Sequence, residues 1–475
     1  VITMTLAEVA ECVDGILAGG ADPDAVVSAP VAFDSRRVES GGLFLALPGE
    51  RTDGHDHAAA AVAAGAVAIL ATRALDVPCV VVSDGLTALA ALAREVLQRL
   101  PDIVVIGVTG SSGKTSTKDL MATLLSELGP TVAPAGSFNN ELGHPFTVLQ
   151  ATTETRFLVL EKSARGIGHI AFLTSIAPPR IGVVLNVGTA HVGEFGSREA
   201  IATAKGELVE ALPDAADGGI AVLNADDPAV VAMAGRTTAR VVLVGESAAA
   251  DLRADGVSLD RLGRPSFTMS HRGQWVSVAM KLTGEHHVAN ALAAAAVALE
   301  CGMSLTAAGA ILSSASARSR WRMEITERAD GVVIVNDAYN ANPESMRAAL
   351  KTLAAMSRGR RGWAVLGEMA ELGDQAWAEH DALGRTAVRL DIAHVIAVGS
   401  GARSIAQGAA LEGSWDGESV WVEEADEALA LVRARVQPGD VVLIKASRSV
   451  GLERLAAALI DDRSTTTGTA QVSGG

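Results

Sequence analysis

The sequence predicts an α/β protein of three domains: a small mixed α/β N-terminal unit over residues 1–100, a central parallel-sheet domain over 101–315, and a C-terminal Rossmann-like domain over 316–462. Three observations carry that prediction. At 475 residues the chain exceeds what one hydrophobic core organises. From residue 103 to about 315, and again beyond Arg318, runs rich in Val, Ile and Leu alternate with helical patterns, as in parallel sheets covered on both faces. The stretch 103–125 reads apolar strand, glycine loop and helix without interruption.

The N-terminal unit opens on an amphipathic helix expected over 5–17. Apolar runs follow at 31–33, 43–47, 66–70 and 79–82, separated by helical patterns at 56–64 and 86–99. Polar clusters end two of these runs: Phe33-Asp34-Ser35-Arg36-Arg37 and Pro48-Gly49-Glu50-Arg51-Thr52-Asp53-Gly54-His55. Ligand-binding loops sit at such places, although Asp34-Ser35 reads equally well as a plain strand terminus. Pro101 separates this unit from the next.

In the central domain the expected strands are 103–108, 157–161, 181–185, 220–223 and 240–244. Glu161, Asn186 and Asn224 stand at strand ends, where ligands of open α/β sheets collect. The first strand empties into Thr109-Gly110-Ser111-Ser112-Gly113-Lys114-Thr115. Successive backbone N–H groups and a helix N-terminus there surround an anion, with Lys114 reaching the β- and γ-phosphates and the Thr115 hydroxyl on Mg²⁺. The strict spacing asks for a glycine five positions before Gly113, and Val108 stands there instead. A bare Gly/Ser turn is the bland alternative; the Lys-Thr pair at the helix start argues against it. The segment is read as the P-loop of an ATPase domain with ATP as its ligand, and a P-loop alone does not name a reaction. Around Gly263-Arg264-Pro265, residues 253–282 read as a β-hairpin or small antiparallel section, and a helix over 286–300 closes the domain.

The third unit has apolar runs at 332–335, 363–366, 395–398, 420–422 and 441–444, alternating with helices but without a G-x-G-x-x-G. Residues 463–475 are too polar and glycine-rich to pack and are expected to be a disordered tail. A formal charge of −16 argues against a nucleic-acid partner, because phosphate backbones need a basic surface. The longest apolar run, 291–299, is too short for a membrane span, and no signal pattern opens the chain, so a cytoplasmic protein is expected. Cys12, Cys79 and Cys301 lack any pair spacing and read as small buried hydrophobes. Aromatics make up 3 % of the chain, and its one tyrosine is Tyr339.

Six further stretches stand out: Ser137-Phe138-Asn139-Asn140-Glu141-Leu142-Gly143; Leu160-Glu161; Asn186-Val187-Gly188-Thr189-Ala190-His191; Ala204-Lys205-Gly206-Glu207; Gly284-Glu285-His286-His287-Val288-Ala289-Asn290; and Asn336-Asp337-Ala338-Tyr339-Asn340-Ala341-Asn342-Pro343. This set, in this order, resembles the Mur ligase family of bacterial cell-wall synthesis, over residues 30–455. The first and last stretches look most like the member that joins D-alanyl-D-alanine to UDP-N-acetylmuramoyl-tripeptide. The resemblance implies an amide ligase working through an acyl phosphate as a monomer. A carboxylate acylates poorly until it carries the γ-phosphoryl of ATP, and that transfer is a matter of positioning and charge neutralisation.

The same resemblance implies roles for individual residues. Lys114, Lys205, His191 and Arg322 would be catalytic. Thr109, Gly110, Ser111, Ser112, Gly113, Lys114 and Thr115 would hold the phosphates, and His286, Asn290, Arg322, Asp337, Tyr339 and Asn340 would hold the rest of ATP, with Asn290 toward the adenine and Asp337 on the ribose. Two Mg²⁺ sites are implied, drawing on Thr115, Glu161, His191 and a Lys205 carbamoylated by CO₂. Asp34, Ser35, Arg36, Asn139, Asn140, Lys445, Ser447 and Arg448 would meet the other substrates.

Taken singly, Glu161 reads as a solvated strand end, His191 as a cap and Lys205 as an exposed helical lysine. Two departures from the family pattern stand out. His287 occupies the place of an asparagine. Lys162-Ser163 follows Glu161 where Met or Leu and then Gly are common. If side chains alternate along the strand, Lys162 points away from the metal; if it points inward, it weakens metal binding. Alternative readings are a family member adding the third amino acid, whose diaminopimelate-adding form carries an Asp-Asn-Pro-Arg motif absent here, and a folylpolyglutamate or cyanophycin type of ligase, against which residues 30–57 argue. A non-enzymatic ATP-binding scaffold is the third, and it need not retain Glu161, His191 and Lys205 together.

Overall fold

A computed structural model describes residues 2–49, 52–134, 136–189, 192–413 and 415–461, with no side-chain description at Val192. His191 and the expected tail 463–475 lie outside these residues. The chain builds three main sheets, and each of the first two sequence units contributes a face to a common core.

The N-terminal sheet has the order Ile16–Ala18, Cys79–Val81, Ala68–Ala71, Leu43–Leu45, Val31–Ala32, with the first pair antiparallel and the rest parallel. The helix expected over 5–17 covers only Leu6–Cys12. A reciprocal capping box between Thr5 and Glu8 starts it, and Asp14 in the left-handed region (φ 50°) stops it, so that Ile16–Ala18 joins the sheet instead. One face of this sheet closes over Phe44, Ile69, Cys79 and Ala61. The other does not close by itself. The helix Gly85–Gln98 sinks Leu89, Leu92 and Val96 into a core that also holds Val105, Leu158 and Leu160 of the central sheet. Cys79 is fully buried as expected, whereas Cys12 and Cys301 are only half-buried; that partial burial pushes both thiols up to about 11.

The central sheet has nine strands. At its heart β1 (Val104–Thr109) lies between β2 (Phe157–Glu161) and β3 (Ile181–Val184), all parallel, so the three carboxyl ends open on one edge. Ile220–Asn224, Arg240–Gly245 and Leu252–Leu259 extend the parallel part. The expected antiparallel section is a continuation of this same sheet: Leu252–Leu259, Pro265–His271 and Gln274–Ala279 form a meander at its edge. Two helices cover one face, α1 (Lys114–Ser126) and, beyond α2 (Arg198–Glu210), the alanine-rich α3 (His287–Glu300), whose small side chains let it lie close against α1.

Strand periodicity decides what flanks the site. Phe157 and Val159 face α1, Leu158 and Leu160 face the opposite core, and Glu161 therefore returns to the α1 side. Lys162 goes the other way. Its Nζ is fully buried, 2.8 Å from His144 Nε2 and donating to the carbonyls of Leu173 (3.1 Å) and Ala177 (3.3 Å) at the end of the helix His169–Ile176. Of the two alternatives, Lys162 thus takes the face opposite to Glu161. Burial drives the Lys162 ammonium far below the usual lysine range, and burial, followed by the neighbouring Lys162, drives His144 far below the usual histidine range.

The C-terminal sheet runs Glu324–Glu327, Val333–Asn336, Val441–Lys445, Gly362–Leu366, His394–Val398, Glu418–Val422; only the first pair is antiparallel. Separate apolar cores fill its two faces. The domain touches the central one through α4 (Pro343–Met356), whose Thr352 and Met356 lie against Gly263, and through Arg360, which donates to the Arg261 carbonyl at 3.2 Å. Among the described residues no helix is long and apolar enough to cross a membrane.

His144 and Lys162 generate a pH prediction. Burial disfavours the charged form of both groups in the fold, and unfolding restores their ordinary proton affinity. Each therefore lowers stability as pH falls below its unfolded pKa, because the unfolded chain then binds more protons. Thermal midpoints should fall from about pH 7.5 to about pH 5, where histidine titrates, and the double variant H144Q/K162M should flatten that slope. An unchanged slope in the double variant would refute the assignment.

Candidate active site between the central and C-terminal domains

The carboxyl edge of β1, β2 and β3 faces the C-terminal domain across a cleft of about 400 Å³. The loop after β1 forms its floor. Gly113 adopts φ 83°, which turns the chain into α1, and a Cβ there would stand 2.6 Å from Asn290 Oδ1. Glycine is required at this point for both reasons. The loop is held open by its neighbours: Ser112 N–H donates to Asn186 Oδ1 (3.0 Å), Asn186 Nδ2 donates back to the Ser112 carbonyl (3.2 Å), and Gly188 N–H donates to Ser111 Oγ (2.9 Å). Lys114 Nζ donates to the Gly110 carbonyl at 2.7 Å. Burial pulls its pKa below the usual lysine range, with the Glu161 charge opposing and the Arg322 charge adding to the effect.

Thr115 is the junction of the site. Its hydroxyl donates to Glu161 Oε2 at 3.2 Å and accepts Arg322 Nη2 at 2.8 Å. Ser137 also donates to Glu161 Oε2, at 3.2 Å. The other oxygen, Oε1, has no hydrogen bond and lies 3.6 Å from the buried ammonium of Lys118. Lys118 is one turn beyond Lys114 on the inner face of α1, donates to the Gly136 carbonyl at 2.8 Å, and lies 3.2 Å from Asp119. Sequence reasoning missed Lys118 and Ser137. The spacing of four from Lys114 was the available signal for the first, and Ser137 stood unassigned within its stretch.

Two of the four residues expected at the metal sites are side by side among the described residues. Thr115 and Glu161 meet, His191 is outside the described residues, and Lys205 makes no hydrogen bond or ion pair with either. Among the described residues there is no group of three or more His, Cys, Asp or Glu suited to a metal. Lys205 is buried on α2. Burial, then the Lys114 charge, hold its amine far below the usual lysine range, with the Glu344 charge opposing.

The far wall comes from the C-terminal domain and the start of α3. Arg322 lies over the Tyr339 ring at 4.1 Å, so one face of the sole tyrosine is covered by a guanidinium. Trp321 (φ 59°) and Met323 (φ 51°), on either side of Arg322, are both left-handed. Hydrogen bonds hold that kink: Met323 N–H donates to Asp337 Oδ1 (3.1 Å) and Tyr339 N–H to the Trp321 carbonyl (3.2 Å). Asp337 Oδ2 pairs with Lys445 Nζ at 2.6 Å, and Lys445 also donates to the Asn340 carbonyl at 2.8 Å. His286 caps α3 and its ring lies 4.4 Å from that of His287; burial lowers both, and the His286 charge adds to the lowering at His287. Asn290 faces Gly113, and its Nδ2 is buried with no partner, an orphan donor at the loop.

Of the residues read from sequence, Ser111, Ser112, Gly113, Lys114, Thr115, Asn139, Asn140, His286, Asn290, Arg322, Asp337, Tyr339, Asn340 and Lys445 share this one cleft. Thr109 and Gly110 sit behind the loop. Asn139 donates to Ser137 Oγ (2.8 Å), and Asn140 Oδ1 accepts the Gly143 N–H (2.9 Å) that starts the helix Gly143–Val148. Asp34, Ser35 and Arg36 do not line the cleft. Arg36 forms two side-chain hydrogen bonds to Asp34 (2.9 and 2.8 Å), which hold the Asp34 carboxyl down to about 2, while the adjacent Phe33 meets Phe146 of the central domain edge-on at 5.0 Å. Ser447 and Arg448 also stand outside it: Ser447 Oγ accepts Ala370 N–H, and Arg448 pairs with Glu453 and covers Trp321 at 4.2 Å.

Three family models match: "Mur ligase family, catalytic domain" over residues 30–99, "Mur ligase middle domain" over 108–298, and "Mur ligase, glutamate ligase domain" over 321–448. The chain is 53 % identical to the UDP-N-acetylmuramoyl-tripeptide--D-alanyl-D-alanine ligase of Mycobacterium tuberculosis, covering 97 % of this chain and 98 % of that protein. A crystal structure of MurF from Acinetobacter baumannii is similar with a TM-score of 0.86, at 31 % identity over 97 % of this chain and 99 % of that one. MurF from Thermotoga maritima in complex with ADP is similar with a TM-score of 0.78, at 30 % identity over 91 % and 97 %.

The Gly113 geometry makes a prediction. Gly113→Ala should destabilise the protein by about 1–2 kcal/mol, from the left-handed backbone and the contact with Asn290. Adding Asn290→Ala should recover the steric part, measured by urea unfolding. A G113A variant as stable as the parent would show that the loop is not held as described.

Proposed function

The chain belongs to the Mur ligase family, and from that premise we propose that it is an ATP-dependent ligase joining UDP-N-acetylmuramoyl-tripeptide to D-alanyl-D-alanine in peptidoglycan precursor synthesis. The observation that carries this reading is identity above half, along nearly the full length of both chains, with a ligase of that name. ATP use has further support from a similar protein crystallised with ADP. The reading places the enzyme in the cytoplasm and has it work as a monomer.

The cleft suits the chemistry. A Gly113-led helix start, Lys114 and Arg322 together offer an anion three kinds of donor, and they neutralise charge on a transferring phosphoryl group without any covalent step. The residues also fit Mg²⁺, because Glu161 Oε1 is a buried carboxylate oxygen without a hydrogen bond and Thr115 Oγ1 adjoins its partner oxygen. Thr115 and Glu161 would hold the ion, with water and phosphate oxygens completing its shell. When bound it supplies Lewis-acid neutralisation of the phosphate oxygens. In this reading the tripeptide carboxylate takes the γ-phosphoryl, and the free amine of D-alanyl-D-alanine displaces phosphate to leave the amide. Asn139 and Asn140 line the end of the cleft where the peptide would enter.

Lys205 enters as a carbamate in this proposal. Its depressed pKa makes the neutral amine available, and that amine adds to CO₂ with loss of one proton to give an anion. The outer residues Asp34, Ser35 and Arg36 are assigned to the uridine nucleotide, and Ser447 and Arg448 to the rim.

Phosphate release from ATP should require both UDP-N-acetylmuramoyl-tripeptide and D-alanyl-D-alanine, measured in a coupled assay with a panel of UDP-muramoyl peptides. ADP formation indifferent to the nucleotide-sugar would overturn the reading. Arg322→Ala should lower kcat roughly 100-fold or more, as loss of a charge-stabilising donor does. Lys205→Ala should be slow and partly rescued by short carboxylic acids; full activity in that variant would remove the carbamate.

A further inference from the structure

A second contact joins the C-terminal domain to the edge of the central sheet, at the start of α4. Asn342 caps α4, and Glu344 lies in its first turn. Glu344 Oε1 accepts the Thr189 N–H at 2.6 Å and the Thr189 hydroxyl at 2.9 Å. Gly188 is pressed so closely on this carboxylate that a Cβ would stand 2.4 Å from Glu344 Cδ. Asn342 Nδ2 donates to the Ser111 carbonyl at 3.3 Å, and Ser111 Oγ in turn accepts Gly188 N–H at 2.9 Å. One helix start thus grips the phosphate loop and the turn after β3 together. A few residues on, Gly193 packs against the Leu372–Gly373 backbone of the same C-terminal domain.

The surroundings of Glu344 give its carboxylate little other work. Arg347, on its own helix, is 3.6 Å away, and Lys205 on α2 feels its charge. Oε2 is buried without a hydrogen bond among the described residues. Without Glu344, Thr189 would lose the acceptor of both its donors, whereas the earlier part of the turn would keep Asn186 on Ser112, Asp227 on Val187 N–H (2.7 Å), Arg198 on the Val187 carbonyl (3.0 Å) and Ser111 on Gly188 N–H.

We propose that Glu344 is a positioning residue that couples docking of the C-terminal domain to the shape of the 186–189 turn behind the phosphate loop. The glutamate acts through Thr189 and Gly188. Turnover as a readout rests on the ligase reading above; the contact itself does not.

Two measurements test it. In hydrogen–deuterium exchange, Glu344→Ala should speed exchange at Thr189 while leaving α4 beyond Met346 protected. Unchanged protection at Thr189 in the folded variant would overturn the proposal, whatever the reaction is. In kinetics, Glu344→Ala and Thr189→Val should each lower kcat, the former by roughly 10- to 100-fold as expected for lost charge-assisted hydrogen bonds, and the double variant should be no worse than Glu344→Ala alone. Gly188→Ala should be impaired by its collision with the carboxylate and be brought back to the Glu344→Ala level when the two are combined. Additive losses, or wild-type kcat in Glu344→Ala, would overturn the proposal. A parent enzyme inactive with both substrates, yet with Thr189 deprotected in Glu344→Ala, would sink the ligase reading and leave this one standing.

Discussion

The hydroxyl of Thr115 is where the architecture converges. It gives its proton to Glu161 at the end of β2 and accepts the guanidinium of Arg322 from the C-terminal domain, while its own backbone belongs to the first turn of α1. Three segments far apart in sequence thus meet at one oxygen atom. Each has its own reason for arriving. Parallel pairing of β1 and β2 brings Glu161 level with Val108, the period of two turns it to the α1 side, and a kinked connection delivers Arg322.

The period of two also explains how much was legible beforehand. Alternating apolar strands and helices gave the α/β class, and the Lys114-Thr115 pair at a helix start gave the phosphate loop. The face taken by Lys162 followed from strand alternation as one of two open alternatives. What stayed hidden was the partner of each charge. Nothing in the letters said that Lys118 would approach Glu161, that Lys445 would occupy Asp337, or that Arg322 would cover Tyr339. Those pairings depend on tertiary register, which local pattern does not encode. The helix over 5–17 was overextended because its apolar spacing continued past Cys12, whereas the Asp14-Gly15 turn and edge pairing of Ile16–Ala18 ended it.

The two interfaces between units differ in kind. The N-terminal unit and the central sheet share apolar side chains in one core, so separating them would expose Leu89, Leu158 and Leu160 to water. The C-terminal domain, with filled cores of its own, meets the cleft through hydrogen bonds at Thr115, Ser111 and Thr189. Polar contacts of that sort exchange readily with water, and a domain held by them can part from the cleft without unfolding.

The kink around Arg322 settles how that arginine is presented. Trp321 and Met323 both sit where an L-residue is uncomfortable, at a cost of about 1–2 kcal/mol each, and they do so on either side of the side chain that bridges to Thr115. The bonds that hold the bend, Met323 N–H to Asp337 and Tyr339 N–H to the Trp321 carbonyl, lie within the C-terminal domain and not across the cleft. The arginine is therefore aimed by its own domain, and meeting Thr115 does not require the backbone around it to be shaped first.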